Sequence, residues 1–143
     1  MKTKPDNIDC FSLACAAVLG ELHEAFPRPV DMDAETVQDA LVSEGRVPGD
    51  CAWSDERHGT TLIGATLDYL LAEGLVRCGD GPFPPEYPGL VLTARGFSIL
   101  QSPAELPGGK TTRTLGRVLR ETGAVAGRAV MVQAIAMVFK LLA

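Results

Sequence analysis

Residues 104–111, AELPGGKT, form the stretch of this 143-residue chain whose residue types come nearest to a known binding chemistry. They match the permissive form of a phosphate-binding loop, which ends on a glycine, Lys110 and Thr111. Such a loop binds phosphate through backbone N–H groups and needs a strand before it and a helix after it. The residues before it are typical of a helix, and too few follow Thr111 to build a parallel sheet. We therefore interpret residues 103–111 as a linker and predict no bound cofactor.

Two histidines lie beside carboxylates in a way that suggests acid–base chemistry. His58 follows Asp55 and Glu56, and His23 precedes Glu24. Acid–base catalysis also needs a nucleophile or another reacting group held against the pair, and none is associated with either histidine. Such neighbours are typical of solvated surface charges. We therefore predict no catalytic residue and no enzymatic activity.

The cysteines do not form a metal-binding pattern. No two are spaced C-x-x-C, and neither histidine lies at a metal-ligand spacing from them. The N-terminus has no signal-peptide pattern, so we interpret all four as reduced thiols of a cytoplasmic protein, mostly in its core. We predict no metal site. The four residues are Cys10, Cys15, Cys51 and Cys78.

Charge is divided unevenly along the chain. Residues 1–92 hold 6 Lys and Arg against 16 Asp and Glu, a formal charge of −10, whereas residues 93–143 hold 7 against 2, which gives +5 and a total of −5. The acidic total opposes non-specific attraction to nucleic acid. The two parts should attract each other, within one chain or between two copies. Candidate nucleic-acid contacts are Arg57, His58, Thr60, Thr61, Arg113, Arg117 and Arg120.

Residues 60–101 read as a helix, a turn, a strand, a long tip, a strand and a helix. In the first of these helices Ile63, Leu67, Leu70 and Leu71 share one apolar face, and a glycine follows where a left-handed helix stop belongs. Turn residues crowd positions 79–89 before an apolar strand resumes. A threonine at position 93 is then placed to cap a short helix.

Two phrases in this region, LDYLLAEGLV at 67–76 and LTARGFSIL at 92–100, resemble small bacterial and prophage-borne winged-helix proteins, some of them regulators. The resemblance implies a winged-helix fold and, by analogy, DNA binding by the helix over residues 60–72. The outward positions of that helix would lack Lys, Arg, Asn and Gln, the side chains that most often contact bases or phosphates. These positions are Thr60, Thr61, Gly64, Ala65, Asp68 and Ala72.

The chain before this region predicts a helix from Asp9 to the prolines after Phe26, and a short strand at Val30–Met32 that joins the sheet. Asp33 then caps a second helix, which Gly45 stops. A helix-turn-helix joins its helices by about three or four residues, and the connection here is longer. Either residues 54–58 form a short extra helical turn, or the motif is degenerate.

After the linker, the pattern predicts a helix over residues 112–143. Unbroken, it would extend beyond the domain, so it either breaks near Gly123 and Gly127 or reaches another subunit. Along one side of this helix, apolar and small residues recur alternately every four and three positions, and their small size allows a second helix to approach closely. The apolar run from residue 129 is too short to cross a membrane. We predict homodimerisation through Val118, Thr122, Val125, Ala129, Val132, Ile135, Ala136, Phe139 and Leu142.

The sequence thus predicts a mainly α fold with a small β-sheet: a winged-helix domain over residues 1–102, a linker at 103–111 and a dimerising C-terminal helix at 112–143. We expect a non-catalytic, cytoplasmic regulatory or adaptor protein that acts through protein–protein contacts, with a homodimer and an unidentified protein partner. The alternative is a dimeric DNA-binding transcriptional regulator. A third hypothesis is a protein that binds the membrane surface through its basic and apolar last helix.

Overall fold

The protein is mainly helical with a small antiparallel sheet, as the sequence predicts. The computed structural model describes residues 6–80, 83–104, 113–121 and 123–143, and of residues 123–126 only the backbone. The predicted linker and phosphate-loop pattern therefore lie almost entirely outside the described residues. No helix among those described is both long and apolar enough to cross a membrane.

Helix α1, Asn7–Ala25, lies at the centre of the fold. The Asp6 carboxylate accepts a hydrogen bond from the N–H of Asp9 at 2.8 Å and caps the first turn. From Cys10 to Leu22 nearly every side chain is buried, because the sheet and three helices pack against α1. These helices are α3 (Leu62–Ala72), α5 (Leu115–Arg120) and α6 (Gly123–Leu142). The helix ends before Phe26 and the proline that follows, as predicted.

Three strands form the main sheet in the order β1-β5-β4, all antiparallel. Strand β1 is Val30–Asp33, β4 is Val76–Arg77 and β5 is Glu86–Leu92. Strand β1 pairs with β5, which confirms the strand predicted at Val30–Met32. Residues 83–86 form a tight turn that leads into β5.

Helix α2, Ala34–Ser43, begins at the predicted Asp33 cap, whose carboxylate accepts from the N–H of Thr36 at 3.0 Å. It stops at Gly45, which has the left-handed φ of 76° that a non-glycine residue rarely adopts. The chain then makes a 3₁₀ turn at Gly49–Cys51 before it reaches α3.

Of the two alternatives for residues 54–58, the extra helical turn is wrong, because these residues belong to a hairpin. Strand β2, Ser54–Asp55, pairs with β3, Thr60–Thr61. The Asp55 carboxylate accepts from the backbone N–H groups of Arg57 and His58, and Gly59 adopts a φ of 63°, so the chain reverses instead of starting a helix. Residues 44–61 therefore separate α2 from α3, far more than a helix-turn-helix has.

Helix α3, Leu62–Ala72, and helix α4, Ala94–Leu100, are linked by one threonine. Gly74 ends α3 at a φ of 77°, and Thr93 caps α4 by accepting from the N–H of Gly96, both as predicted. The Thr93 hydroxyl also donates to the Gly74 carbonyl at 2.6 Å. Gly96 fits only as glycine, because a Cβ there would lie 2.1 Å from the Leu75 carbonyl oxygen.

The C-terminal segment breaks instead of forming one rod. Helix α5 is Leu115–Arg120 and helix α6 is Gly123–Leu142. The chain leaves helical geometry at Glu121, and α6 has a further kink at Gly127, where φ is 75° and ψ is 160°. This confirms the predicted break near Gly123 and Gly127. Both helices pack against α1, so one apolar core contains residues from both sides of the predicted linker.

A disulfide joins Cys10 on α1 to Cys51 in the 3₁₀ turn, with their Cα atoms 5.3 Å apart. The prediction that all four cysteines are reduced is therefore wrong for this pair. The two residues are 41 positions apart, and only the packing of the 3₁₀ turn against α1 brings them together. Cys15 and Cys78 carry free thiols.

Candidate interaction surfaces

Three aromatic rings from three helices meet at the surface. Phe11 of α1 and Tyr69 of α3 pack edge to face with ring centroids 5.1 Å apart. Phe139 of α6 contacts both, at 5.9 Å from Phe11 and 5.8 Å from Tyr69. Tyr69 is 44% exposed, and the other two rings are partly exposed. The cluster therefore presents aromatic surface to the solvent.

Apolar residues on two helices extend this cluster. Ile8 lies one turn before Phe11 on α1 and is 72% exposed. On α6, Val132 and Ala136 precede Phe139 by seven and three positions, so the three lie on one side of the helix. Ala136 is exposed and Val132 is partly exposed. We name this set the aromatic surface: Ile8, Phe11, Tyr69, Val132, Ala136 and Phe139.

Charged residues lie on the same helices as the aromatic surface. On α6, Arg128 and Lys140 are exposed and lie on the same i, i+4 row as Val132 and Ala136. On α3, the exposed Glu73 lies one turn after Tyr69, and the exposed Asp68 precedes it. Arg128 and Lys140 thus lie at the two ends of the exposed row of α6, and the acidic residues lie on α3.

The residues assigned from sequence to a dimer interface divide into two groups. Val118, Ile135 and Leu142 are buried in the core of a single chain, so in this arrangement they are not available to a second copy. The exposed or partly exposed group is Ala129, Val132, Ala136 and Phe139. The side chains of Thr122 and Val125 lie outside the described residues. The predicted interface assumes one straight helix, and the break before α6 separates Val118 from the other predicted interface residues.

The face of α3 proposed for DNA contact is partly covered. Thr61 and Gly64 are buried, and the Tyr87 hydroxyl from β5 donates hydrogen bonds to the Gly64 carbonyl and the Asp68 carboxylate, at 3.2 and 2.8 Å. Burial raises the pKa of the Tyr87 phenol, and the hydrogen bond with Asp68 raises it further. Thr61 and Gly64 were predicted to point outward, which is wrong: both are buried, and Ala34 of α2 and Tyr87 of β5 lie against Gly64. Among the exposed residues of α3 none is basic.

The candidate contacts Arg57, His58 and Thr60 lie together in the β2–β3 hairpin. The His58 ring nitrogen Nδ1 and the Asp55 carboxylate are 2.7 Å apart, and both side chains are largely exposed. The arginines of α5 and of the segment before it line a different part of the molecule. The two halves of the predicted nucleic-acid surface therefore occupy separate places.

Arg113, Arg117 and Arg120 surround a cleft of about 530 Å³ beside the C-terminal half of α1. Arg113 forms an ion pair with Glu121, and Arg120 Nη2 lies 4.0 Å from the Glu24 carboxylate. Of these two pairs, Arg120–Glu24 joins the basic part of the chain to the acidic part, as the charge division predicts, whereas Arg113 and Glu121 both belong to residues 93–143. The cleft is lined by His23, Gln101, Arg113, Thr114, Arg117, Arg120 and Glu121.

His23 forms part of the wall of this cleft and is held by packing on both sides. Its Nε2 and the Gln101 Oε1 are 3.0 Å apart, and its ring stacks near Phe97 with centroids 6.2 Å apart. Gly116 lies flat against the ring, since a Cβ there would approach it to 2.6 Å. His23 Nδ1 is buried with no hydrogen-bond partner among the described residues. The histidine is thus a packed wall residue, and no nucleophile contacts it in the described structure.

The thiols show no sign of activation. Burial raises the pKa of the Cys15 thiol. The Cys78 Sγ donates to the Pro88 carbonyl oxygen at 2.9 Å, and desolvation raises its pKa as well. Reactive cysteines need a lowered pKa. Within the described ranges, no group of three or more His, Cys, Asp or Glu side chains is placed to hold a metal ion.

Ile8, Phe11 and Tyr69 were not predicted as surface residues. Phe11 lies among the mostly apolar residues of α1, and Tyr69 adjoins the predicted outward positions of α3 without being one of them. Their aromatic and β-branched types were the available signal, but only the packing of α1 against α3 brings Phe11 and Tyr69 together. No protein-family model, curated protein or solved structure matches this chain.

Proposed function

We propose that this chain is a non-catalytic regulatory or adaptor protein of winged-helix type, which acts through protein–protein contacts and self-association. The observation that carries the proposal is the aromatic surface, where Phe11, Tyr69 and Phe139 present rings from three helices to the solvent. Aromatic residues are enriched at the cores of protein interfaces, and contiguous exposed apolar patches commonly mark interaction sites.

The winged-helix part of the proposal is supported by the order of elements. Helix α1, strand β1, helices α2 and α3, and strands β4 and β5 follow one another as they do in that fold, and β1 adds to the sheet beside the β4–β5 pair. The long connection with its extra hairpin departs from the pattern. It places in doubt the use of α3 as a recognition helix, since the motif depends on a short turn.

A DNA-binding regulator is the rival function, and the charges count against it. The exposed side of α3 carries Asp68 and Glu73, which repel phosphate. Arg113 and Arg120 approach carboxylates of their own chain. Asp68 and Glu73 lie beside Tyr69 and weaken the case for binding to an anionic membrane surface, because they repel its charge.

The proposed compartment is the cytoplasm, and the disulfide sets a condition on it. Cytosolic reductants keep most thiols reduced, so a cytoplasmic chain would hold Cys10 and Cys51 as thiols except under oxidation. Alkylation of thiols in freshly lysed cells distinguishes the two states, because the bonded pair resists the reagent.

The test is a titration of labelled mixed-sequence duplex DNA at 50 and 200 mM salt, read by fluorescence anisotropy. We expect a Kd weaker than about 100 μM at 200 mM salt, at the weak end of non-specific binding. The comparison variant is Arg113→Glu with Arg117→Glu, and the matched control is Arg77→Glu on the exposed side of β4. Micromolar binding that the double variant abolishes and the control retains would establish the rival function instead.

A further inference from the structure

A cleft of about 430 Å³ lies where α1, the residues after α2, α5 and α6 meet, and it shares only Glu121 with the cleft beside His23. Its volume falls within the range of about 300–1,000 Å³ that is typical of small-molecule sites. Glu44 and Gly45 at its edge are exposed, so the cleft opens to the solvent. A small molecule can therefore enter it.

The floor of this cleft is apolar and comes from three helices. Its residues are Leu13, Ala16 and Ala17 of α1, Leu119 of α5 and Met131 of α6, and all five are buried. The short alanine side chains leave open the space that larger residues would fill. Apolar groups leave water readily for such a floor, so it favours a ligand with an apolar body.

The rim of the cleft carries charges of both signs, from Glu44, Arg46, Glu121 and Arg128. Glu121 forms an ion pair with Arg113. Within the described part of the chain, no residue forms an ion pair with Glu44, Arg46 or Arg128. Two guanidinium groups and one carboxylate are therefore available to a bound molecule.

The backbone holds part of this rim in place. The N–H groups of residues 44, 45 and 46 donate to carbonyl oxygens in the last turn of α2, at 2.9, 3.0 and 2.9 Å. The Cys10–Cys51 disulfide then joins the 3₁₀ turn that follows to α1, three residues before Leu13. A rim that is already ordered loses little conformational freedom when a ligand binds.

We propose that this cleft binds a free α-amino acid with a large apolar side chain. The ligand's carboxylate accepts hydrogen bonds from the guanidinium groups of Arg46 and Arg128, and its ammonium group donates to the Glu44 carboxylate. Its side chain covers the apolar floor. This inference goes beyond the proposed function, because it adds a small-molecule ligand at a site apart from the aromatic surface.

The mixed charge of the rim selects a zwitterion over two simpler ligands. An apolar carboxylate would satisfy the two arginines but would lie against the negative Glu44. An apolar amine would satisfy Glu44 but would lie against two guanidinium groups. Each of these contacts is repulsive. An amino acid carries both charges on one carbon atom and meets both kinds of partner.

The experiment is a titration of the intact, isotope-labelled chain with phenylalanine up to about 10 mM, followed through the backbone amide signals in NMR spectra. We expect a Kd between about 10 μM and 1 mM, as is usual for a ligand of this size. The signals of Gly45, Leu119 and Met131 should shift, because these residues line the cleft. Those of Gly59, in the β2–β3 hairpin, should not.

Two partial ligands and two rim variants test which charge binds which group. Phenylpropanoate lacks the ammonium group and phenylethylamine lacks the carboxylate, and each should bind about tenfold more weakly than phenylalanine. Arg46→Gln should weaken phenylalanine and phenylpropanoate about tenfold but leave phenylethylamine unchanged, and Glu44→Gln should do the converse. The matched control is Arg77→Gln on β4, which should leave all three unchanged.

Each outcome decides the matter, with circular dichroism to verify that the variants are folded. Shifts at the cleft that both rim variants weaken and the control retains support the inference. Phenylalanine that causes no shift at about 10 mM, or shifts only elsewhere, overturns it. So does phenylpropanoate that binds as tightly as phenylalanine, because the ligand would then be a plain carboxylate. None of these results removes the proposed function, which depends on the aromatic surface.

Discussion

Removal of the Cys10–Cys51 disulfide should destabilise the protein by an amount that depends on the number of residues in the loop that the bond closes. The bond closes a segment of 41 residues. A cross-link over about 41 residues removes close to 13 cal/mol/K of entropy from the unfolded chain in the loop-closure treatment, which is about 4 kcal/mol at 25 °C. We therefore expect Cys10→Ser with Cys51→Ser to lower the free energy of unfolding by about 4 kcal/mol.

The corresponding fall in Tm follows from the size of the protein. Unfolding entropy of about 2.1 cal/mol/K per residue gives about 0.3 kcal/mol/K for 143 residues, so Tm should fall by about 13 °C. Circular dichroism melts of the double variant, and of the unaltered protein with and without dithiothreitol, measure this. Reduction alone should reproduce most of the shift, because it opens the same loop without changing a side chain.

The matched control is Cys78→Ser. Its thiol is outside the disulfide and donates to the Pro88 carbonyl oxygen, a bond that a serine hydroxyl can also make. Its Tm should lie within about 2 °C of the parent, as expected for a change of well under 1 kcal/mol. If mass spectrometry verifies the bond and the double variant and reduction both lower Tm by less than about 4 °C, the loop-closure reasoning fails.

Two further predictions concern packing and titration. Gly96→Ala should destabilise by about 3 kcal/mol, since its Cβ would overlap the Leu75 carbonyl, whereas Gly49→Ala has open space and should change stability by less than about 0.5 kcal/mol in urea unfolding. Tyr87→Phe removes the donor to Asp68 and should cost about 1–2 kcal/mol. Because the pKa of Tyr87 is raised in the folded protein, its contribution to stability is complete below the ordinary pKa of 10 and is lost as the pH rises above that value. In thermal melts from pH 8 to 11, Tm should therefore fall more steeply for the parent than for Tyr87→Phe.

Features that depend on a few neighbouring residues could be predicted from the sequence. The caps at Asp33 and Thr93 and the left-handed stops at Gly45 and Gly74 all follow from side chains that bond within three residues or from the freedom of glycine. The break near Gly127 belongs to the same class. Each of these features depends only on neighbouring residues, so the sequence is sufficient to predict it.

Features that join distant segments could not be predicted in this way. The apolar pattern of α3 predicts one buried face. Tyr87 of β5, nineteen residues after Asp68, covers a second face of this helix. The Cys10–Cys51 pairing depends on where the 3₁₀ turn packs, and this cannot be predicted from the spacing of the cysteines. The same holds for the candidate site, since Phe11, Tyr69 and Phe139 come from three helices.

The burial of α1 by α5 has a consequence for how the protein is made. Helix α1 ends at Ala25 and its cover begins at Leu115, so about 90 residues must leave the ribosome between them. At about 5–20 residues per second this takes roughly 5–18 s, during which the apolar segment CFSLACAAVLG lacks the cover that α5 and α6 supply. A nascent chain arrested before residue 115 should therefore bind chaperones that recognise apolar segments, and release should follow once α5 and α6 have emerged.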